Sequence, residues 1–371
     1  MTAGAPEAFD PAALSGVLTI DLAALRANYR ALAERVAPAG CGAVVKANAY
    51  GLGVLKAAPA LFAEGCRHFF VAHLLEAAEL RPHLPAEATL YVLNGVLPGG
   101  EDFAAAQGFV PVLNSREQIR RWSETAARRG ERLPAILQFD TGMSRLGLSP
   151  EEAAELLEAP AKLAPLDIRF VMSHLASADE PESAQNSDQL AGMQAIAAHF
   201  GQAISFANSG GVMLGPAYHG ALARPGIALY GGNPQPGAPN PMRPVVSLAV
   251  RVIQTRSVPA GARVGYGATH VAKGPARLAT LAAGYADGLP RSLSPRGSAF
   301  FGGARMPIVG RVSMDSMTVD ASALAPDALR LGTLVELIGA NQTVDALAAD
   351  AGTISYEILT SLGKRYQRVY V

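Results

Sequence analysis

The chain has 371 residues, half of them hydrophobic, and 31 Lys plus Arg balance 31 Asp plus Glu to a formal net charge of zero. That length suits roughly two to three average domains, or one large α/β barrel with an extra module. Balanced charge argues against a nucleic-acid or membrane-surface role, which demands a cationic stripe.

Residues 1–15 read as an N-terminal tail without the basic segment and unbroken apolar core of a secretory signal. A helix is predicted from about 21 to 36. Short apolar runs rich in β-branched residues then alternate with amphipathic stretches. Strands are predicted at 42–45, 69–72, 89–93, 109–113, 135–139, 168–172 and 203–207, each the length of a buried parallel strand. Asn114-Ser115 starts a helix that ends before Gly130, and Ser149-Pro150-Glu151-Glu152 places proline and acids in another first turn. An eighth strand must come from 221–230. This rhythm over 16–237 predicts a (β/α)8 TIM-type barrel; a doubly wound open sheet is the other arrangement the pattern allows.

Proline recurs at nearly every second position of 232–242, which reads as a linker. Beyond it, strand patterns run without intervening helices. They are an alternating run at 245–255, a turn at Pro259-Ala260-Gly261, and strands at 277–283, 307–319 and 334–338. A short helical tail from 355 to 363 closes a mostly β C-terminal domain, 238–371. No run approaches the ~18 apolar residues that cross a bilayer. Two cysteines, Cys41 and Cys66, exclude a disulfide scaffold and a zinc cluster built on thiolates. The chain reads as cytoplasmic, and its 17% of charged residues, against the usual ~25%, fits surface hidden in an oligomer or simply an alanine-rich composition.

In a (β/α)8 barrel, reactive groups sit where strands end and βα loops begin. Lys46, Arg145, His174 and Asn208-Ser209 occupy such places, and a Gly-rich loop after strand seven suits a phosphate. A lysine opposite a phosphate site suggests Schiff-base chemistry with pyridoxal phosphate (PLP) or with an aldolase substrate. Singly, each residue has a blander reading: a solvated lysine, a rim histidine, a surface ion pair. The remaining histidines show no metal-ligand spacing. Ser173-His174 with Asp179 lacks the G-x-S-x-G elbow of a hydrolase.

The segment Ala43-Val-Val-Lys46-Ala-Asn-Ala-Tyr50-Gly-Leu-Gly53 closely resembles the PLP attachment segment of alanine racemases. The likeness continues through Asp140-Thr-Gly-Met-Ser-Arg145, Ser173-His174-Leu-Ala, Ala207-Asn208-Ser209-Gly and Arg224-Pro-Gly226-Ile227. In the second domain it takes in Gly265-Tyr266-Gly, Gly284-Tyr285-Ala-Asp-Gly, Ser313-Met314-Asp315 and Ile354-Ser-Tyr356-Glu. The resemblance implies a barrel plus a β domain, a homodimer with shared active sites, and PLP-dependent two-base racemisation of alanine. The D-alanine would supply cell-wall peptidoglycan or enter catabolism.

By that resemblance Lys46 attaches PLP and serves as base on one face of the substrate, with Tyr266 of the other subunit on the opposite face. A proton must leave one face and return to the other, so racemisation needs two such groups. His174 would hydrogen-bond Tyr266 and connect to Arg224, whose guanidinium would face the pyridine nitrogen and can only donate. Arg145 would contact the PLP phenolic oxygen and the substrate carboxylate. Tyr50, Asn208, Ser209, Gly226, Ile227 and Tyr356 would cradle the phosphate end. Met314, Asp315 and Tyr285 would line a pocket sized for a methyl group. If Arg224 reaches the cofactor, the eighth strand ends near it, at 221–224.

Two positions depart from the family pattern. Gln138 stands where many members carry a carbamylated lysine, so Arg145 is expected to be held by the Gln138 amide oxygen or by a bound anion. Leu52 stands where members often carry His. A PLP-dependent decarboxylase of this barrel class usually needs a second-domain cysteine, and none follows Cys66. A non-catalytic PLP-binding protein would lack the β domain and Tyr266. One methylene in a pocket changes discrimination by only ~1–3 kcal/mol, so serine and other small amino acids remain open as substrates.

Overall fold

The computed structural model describes residues 13–371, so positions 1–12 of the expected tail lie outside the described residues. The chain divides into two units, Leu25–Arg243 and a second that joins the described residues up to Ala24 to Pro244–Val371.

The first unit is the barrel. Seven parallel strands run in chain order: Ala43–Val44, His68–Val71, Thr89–Val92, Val110–Leu113, Leu133–Gln138, Leu166–Met172 and Ile204–Ser205. Most of their side chains are buried on both faces, with Phe69, Phe70, Val92, Val112, Ile136, Leu137 and Val171 fully enclosed. That is why these strands read as continuous apolar runs rather than alternating ones. Leu222–Ala223 closes the ring. It pairs in parallel with Gly40–Cys41, and on its other side the Arg224 amide donates to the Ala207 carbonyl at 2.8 Å. The eighth strand thus ends next to Arg224, and Ile227–Tyr230 is a 3-10 turn beyond it. Position 42, between Gly40–Cys41 and Ala43–Val44, is glycine because a Cβ there would meet the Phe70 ring at 2.8 Å.

The helices start and stop where their caps require. Ser115 accepts the Gln118 amide to open Arg116–Arg129, and Gly130 ends it in the left-handed region. Ser149 and Glu152 form a reciprocal capping box on Pro150–Glu158. The proline-rich segment is no free linker. Asn28 donates to the Leu229 and Arg243 carbonyls and accepts from the Arg243 amide, fixing both ends of 229–243 to the helix Leu22–Val36.

The second unit is built on the 13-residue strand Val246–Val258, which pairs antiparallel with Gly16–Ile20, Ala276–Leu281 and Leu334–Ile338. Gly16–Ile20 also pairs in parallel with the C-terminal strand Gln367–Tyr370. Residues 16–20, assigned to the barrel domain on sequence, therefore belong to this sheet, and the chain crosses between units near 243 rather than at 237. The strand expected over 307–319 is two strands, Ala304–Pro307 and Met317–Asp320. Gly310 at φ 75° and the Ser313 amide bond to the Ser316 carbonyl turn the chain between them. Ser298–Phe301 and the helix Val344–Ala351 had no counterpart in the sequence reading.

Candidate active site

Because all the barrel strands are parallel, their C-terminal ends share one face. Lys46, Arg145, His174, Asn208-Ser209 and Arg224 all follow such ends, which brings them to the face where barrels of this kind place chemistry.

Lys46 opens a turn of the wrong hand. Ala47, Asn48, Ala49 and Tyr50 have φ of 52°, 55°, 53° and 55°, and Gly51 follows at 82°. Left-handed backbone costs roughly 1–2 kcal/mol per non-glycine residue, so four in a row persist only where surrounding bonds hold them. They are held at both ends. The Ala47 amide donates to Glu76 Oε1 at 2.5 Å, and Asn48 Oδ1 accepts the Val54 amide at 2.8 Å. Burial and nearby Arg145 push the Lys46 amine below its ordinary pKa, with Glu76 pulling the other way. Glu76 was missed on sequence, where it looks like an ordinary acid in a helix's first turn.

Arg224 is buried at the end of the closing strand. Nη1 donates to Ser205 Oγ at 2.8 Å, and Nη2 donates to the Ser173 and Phe206 carbonyls at 2.8 and 3.3 Å. Every one of these acceptors is neutral. Burial lowers its pKa to about 9, so it stays cationic at neutral pH. His174 is driven down to about 3 by burial and by the cations Arg224, Arg145 and Lys46. Its imidazole is neutral at neutral pH. Arg224 thus bonds a carbonyl beside His174, at Ser173, and the link to the imidazole is electrostatic.

Arg145 is exposed on a loop that the Asp140 carboxylate organises by accepting the Gly142, Met143 and Ser144 amides. Gln138 is buried, and its amide nitrogen donates to the Leu146 carbonyl at 3.3 Å. The expected bond from Arg145 to the Gln138 amide oxygen is not made among the described residues. Gln138 instead fixes the main chain one residue beyond the arginine.

Tyr50 lies against Tyr230, ring centroids 4.7 Å apart, and Tyr230 donates to the Val44 carbonyl. Ser209 Oγ accepts the Gly226 and Ala228 amides at 2.8 and 3.3 Å. Asn208 accepts the Gly211 amide and donates to the Leu175 carbonyl. Gly226 is packed so closely that a Cβ would sit 2.3 Å from the Tyr50 hydroxyl. Ile227 is buried beside it. The structure therefore gathers Tyr50, Asn208, Ser209, Gly226 and Ile227 into one compact cradle.

Tyr266, Tyr285, Met314, Asp315 and Tyr356 belong to the second unit. Tyr266 tips the hairpin of Arg263–Val264 and His270–Val271 and is 70% exposed. The segments carrying Tyr285 and Met314 are joined backbone to backbone, the Tyr285 amide donating to the Ser313 carbonyl and the Ala286 amide to the Met314 carbonyl. Asp315 accepts from Arg365 Nη1 at 2.7 Å. The same guanidinium donates to both oxygens of buried Asp287, which in turn accepts the Gly284 amide. Asp287 and Arg365 were also missed, since neither residue type at that spacing signals an ion pair 78 positions apart.

The alanine racemase N-terminal domain family matches residues 20–234, and the alanine racemase C-terminal domain family matches 245–370. The chain belongs to the alanine racemase family. A catabolic alanine racemase of Rhizobium johnstonii is 60% identical, the match covering 96% of this chain and 95% of that protein. An alanine racemase of Brucella canis is 55% identical over 97% and 94%. Among solved structures, alanine racemase from Bartonella henselae with covalently bound pyridoxal phosphate superposes with a TM-score of 0.93 at 45% identity, covering 96% and 99%. The biosynthetic alanine racemase of Pseudomonas aeruginosa gives 0.89 at 38%, covering 96% and 99%.

Proposed function

We propose that this member of the alanine racemase family interconverts L- and D-alanine with PLP, Lys46 and Tyr266 being the two acid/base groups. The observation that carries the reading is the Lys46 turn. An amine whose charged form is disfavoured follows a barrel strand and is held by a strained backbone on the face that also carries Arg145, His174 and Arg224.

The residues present fit PLP. The tight approach of Gly226 to the Tyr50 hydroxyl, with Ser209 beside it, forms a cradle that a single added Cβ would fill. Tyr50, Asn208, Ser209, Gly226, Ile227 and Tyr356 would hold the phosphate end, Lys46 the carbonyl end, and Arg224 the ring nitrogen. Bound PLP supplies an electron sink for the charge left when the substrate Cα loses its proton.

The chain's own groups account for the rest. Arg224 has only N–H donors, so a ring nitrogen facing it stays unprotonated. Arg145 would anchor the substrate carboxylate and so leave Cα–H, rather than the carboxylate, presented for reaction. Lys46 removes or returns the proton on one face and Tyr266 on the other. Tyr266 would act as a base through its phenolate, a form that cationic neighbours favour. Met314, Asp315 and Tyr285 restrict the pocket to small side chains. In this reading Tyr266 comes from a second copy of the chain, a homodimer supported by the exposure of Tyr266, Tyr285, Met314 and Tyr356. We place the enzyme in the cytoplasm, which suits its free, buried Cys41 and Cys66. No helix among the described residues is long and apolar enough to cross a membrane.

The test is incubation of the PLP-loaded chain with L-alanine in D2O. The reading requires loss of the Cα proton signal together with appearance of D-alanine. A loaded sample without exchange overturns it, and release of carbon dioxide points to a decarboxylase instead.

A further inference from the structure

The strained turn is tied to the barrel at its first amide by a residue from the next β/α unit. Glu76 lies in the first turn of Leu74–Leu80. Its Oε1 accepts the Ala47 amide at 2.5 Å, while Oε2 accepts the Ala72 and His73 amides at 2.7 and 3.0 Å. The His73 bond is ordinary helix capping. The Ala47 bond is not, because its partners are 29 positions apart. One carboxylate thus staples the residue after Lys46 to the residues that follow His68–Val71, the neighbouring strand.

We propose that Glu76 is a positioning residue for Lys46, fixing the first peptide of the left-handed turn and counterbalancing the cations around the amine. This rests on the reading of Lys46 as the PLP-attaching base. The titratable groups that bear on Lys46 come from three other loops or helices. Arg145 follows Leu133–Gln138 and opposes the ammonium, Glu76 favours it, and His174 follows Leu166–Met172 and stays neutral. Glutamine at position 76 would keep the shape but lose the charge. Its amide nitrogen cannot accept a bond, so one side of the staple must open.

The experiment compares PLP-loaded, full-length wild type, Glu76→Gln and Glu76→Asp. Hydrogen exchange of the peptide spanning 46–53, kcat and KM, and the pH dependence of kcat are measured. In E76Q, exchange over 46–53 should rise at least about tenfold while the other barrel strands exchange as before. Its kcat should fall about tenfold or more with KM within about twofold, because the base is misplaced rather than the substrate lost. The acid limb of kcat, which reports groups in the enzyme–substrate complex where Lys46 is free as an amine, should move to lower pH, since removing an anion lowers the pKa of a neighbouring amine. E76D keeps the charge but is one methylene short, so its acid limb should return while fast exchange remains.

Wild-type exchange and an unmoved acid limb in E76Q overturn the proposal, as does faster exchange spread evenly over every peptide. Should E76Q fail to fold, E76D decides through the exchange of 46–53 alone. Borohydride reduction and peptide mapping of the wild type separate this from the wider reading. A wild type without PLP on Lys46 sinks the functional reading, whereas a loaded wild type with unaltered variants sinks only the role of Glu76.

Discussion

Arg224 Nη1 donates to the Ser205 hydroxyl at 2.8 Å, and that hydroxyl donates to the Leu222 carbonyl at 2.8 Å. One oxygen thus ties a buried cation to the two strands that close the barrel. Ser205→Ala strands both a guanidinium N–H and a carbonyl in a dry site, which costs about 1–3 kcal/mol. Urea unfolding should show an earlier midpoint with an unchanged slope, and PLP should bind more weakly. An unmoved midpoint would mean that the hydroxyl is dispensable.

Close packing requires glycine at 226, since any Cβ there would sit 2.3 Å from the Tyr50 hydroxyl. Gly226→Ala places a methyl against the Tyr50 hydroxyl and should weaken PLP binding at least about tenfold, the cost of overpacking a rigid site by ~1–3 kcal/mol. Adding Tyr50→Phe removes the closest clashing atom, so the double variant should recover part of the loss in a PLP titration. Additive losses would show that the two positions are not coupled.

His174 titrates near 3 in the folded chain against 6.5 when unperturbed. Its folded pKa is depressed, so the unfolded chain binds the extra proton as pH falls below 6.5. Stability from this group is therefore complete above that pH and declines between 6.5 and 3, by up to about 1.4 kcal/mol per pH unit. Unfolding midpoints measured from pH 7.5 down to 4.5 should fall less steeply in His174→Gln than in the wild type. Parallel curves would show that another group carries the acid sensitivity.

Arg365 holds Asp287, which is 2% exposed, and Asp315, whose carboxylate is mostly solvated. Arg365→Ala leaves a buried carboxylate without its counter-charge, whereas Asp315→Asn removes only a screened partner. Thermal unfolding of the full chain should therefore be earlier for R365A than for D315N. Because the backbone of 284–288 is bonded to 313–314, R365A should also raise KM for alanine more than it lowers kcat. Equal effects of the two variants on unfolding would refute the asymmetry.

Much of the barrel was legible because buried parallel strands leave apolar runs of fixed length, and their ends mark one face. Lys46, Arg145, His174, Asn208 and Ser209 could be placed there by counting. Arg224 was not found that way. It follows a two-residue strand too short to carry a pattern, and only the family resemblance pointed to it. The strand Gly16–Ile20 was missed because its partners, Val246–Val258 and Gln367–Tyr370, are hundreds of residues away, and such pairing leaves no local mark.

From the sequence alone came the alternation of strand and helix, the mostly β second domain, and the residue types available for chemistry. These are local, since burial and periodicity are written into neighbouring side chains. The tertiary structure alone decided that four residues after Lys46 turn left-handed, that Glu76 is the anchor of that turn, and that Gln138 holds the Leu146 carbonyl rather than Arg145. It also decided that Asp315 is engaged by Arg365. Each depends on groups brought together from distant positions, and backbone strain or an ion pair of that kind exists only once the fold has closed around it.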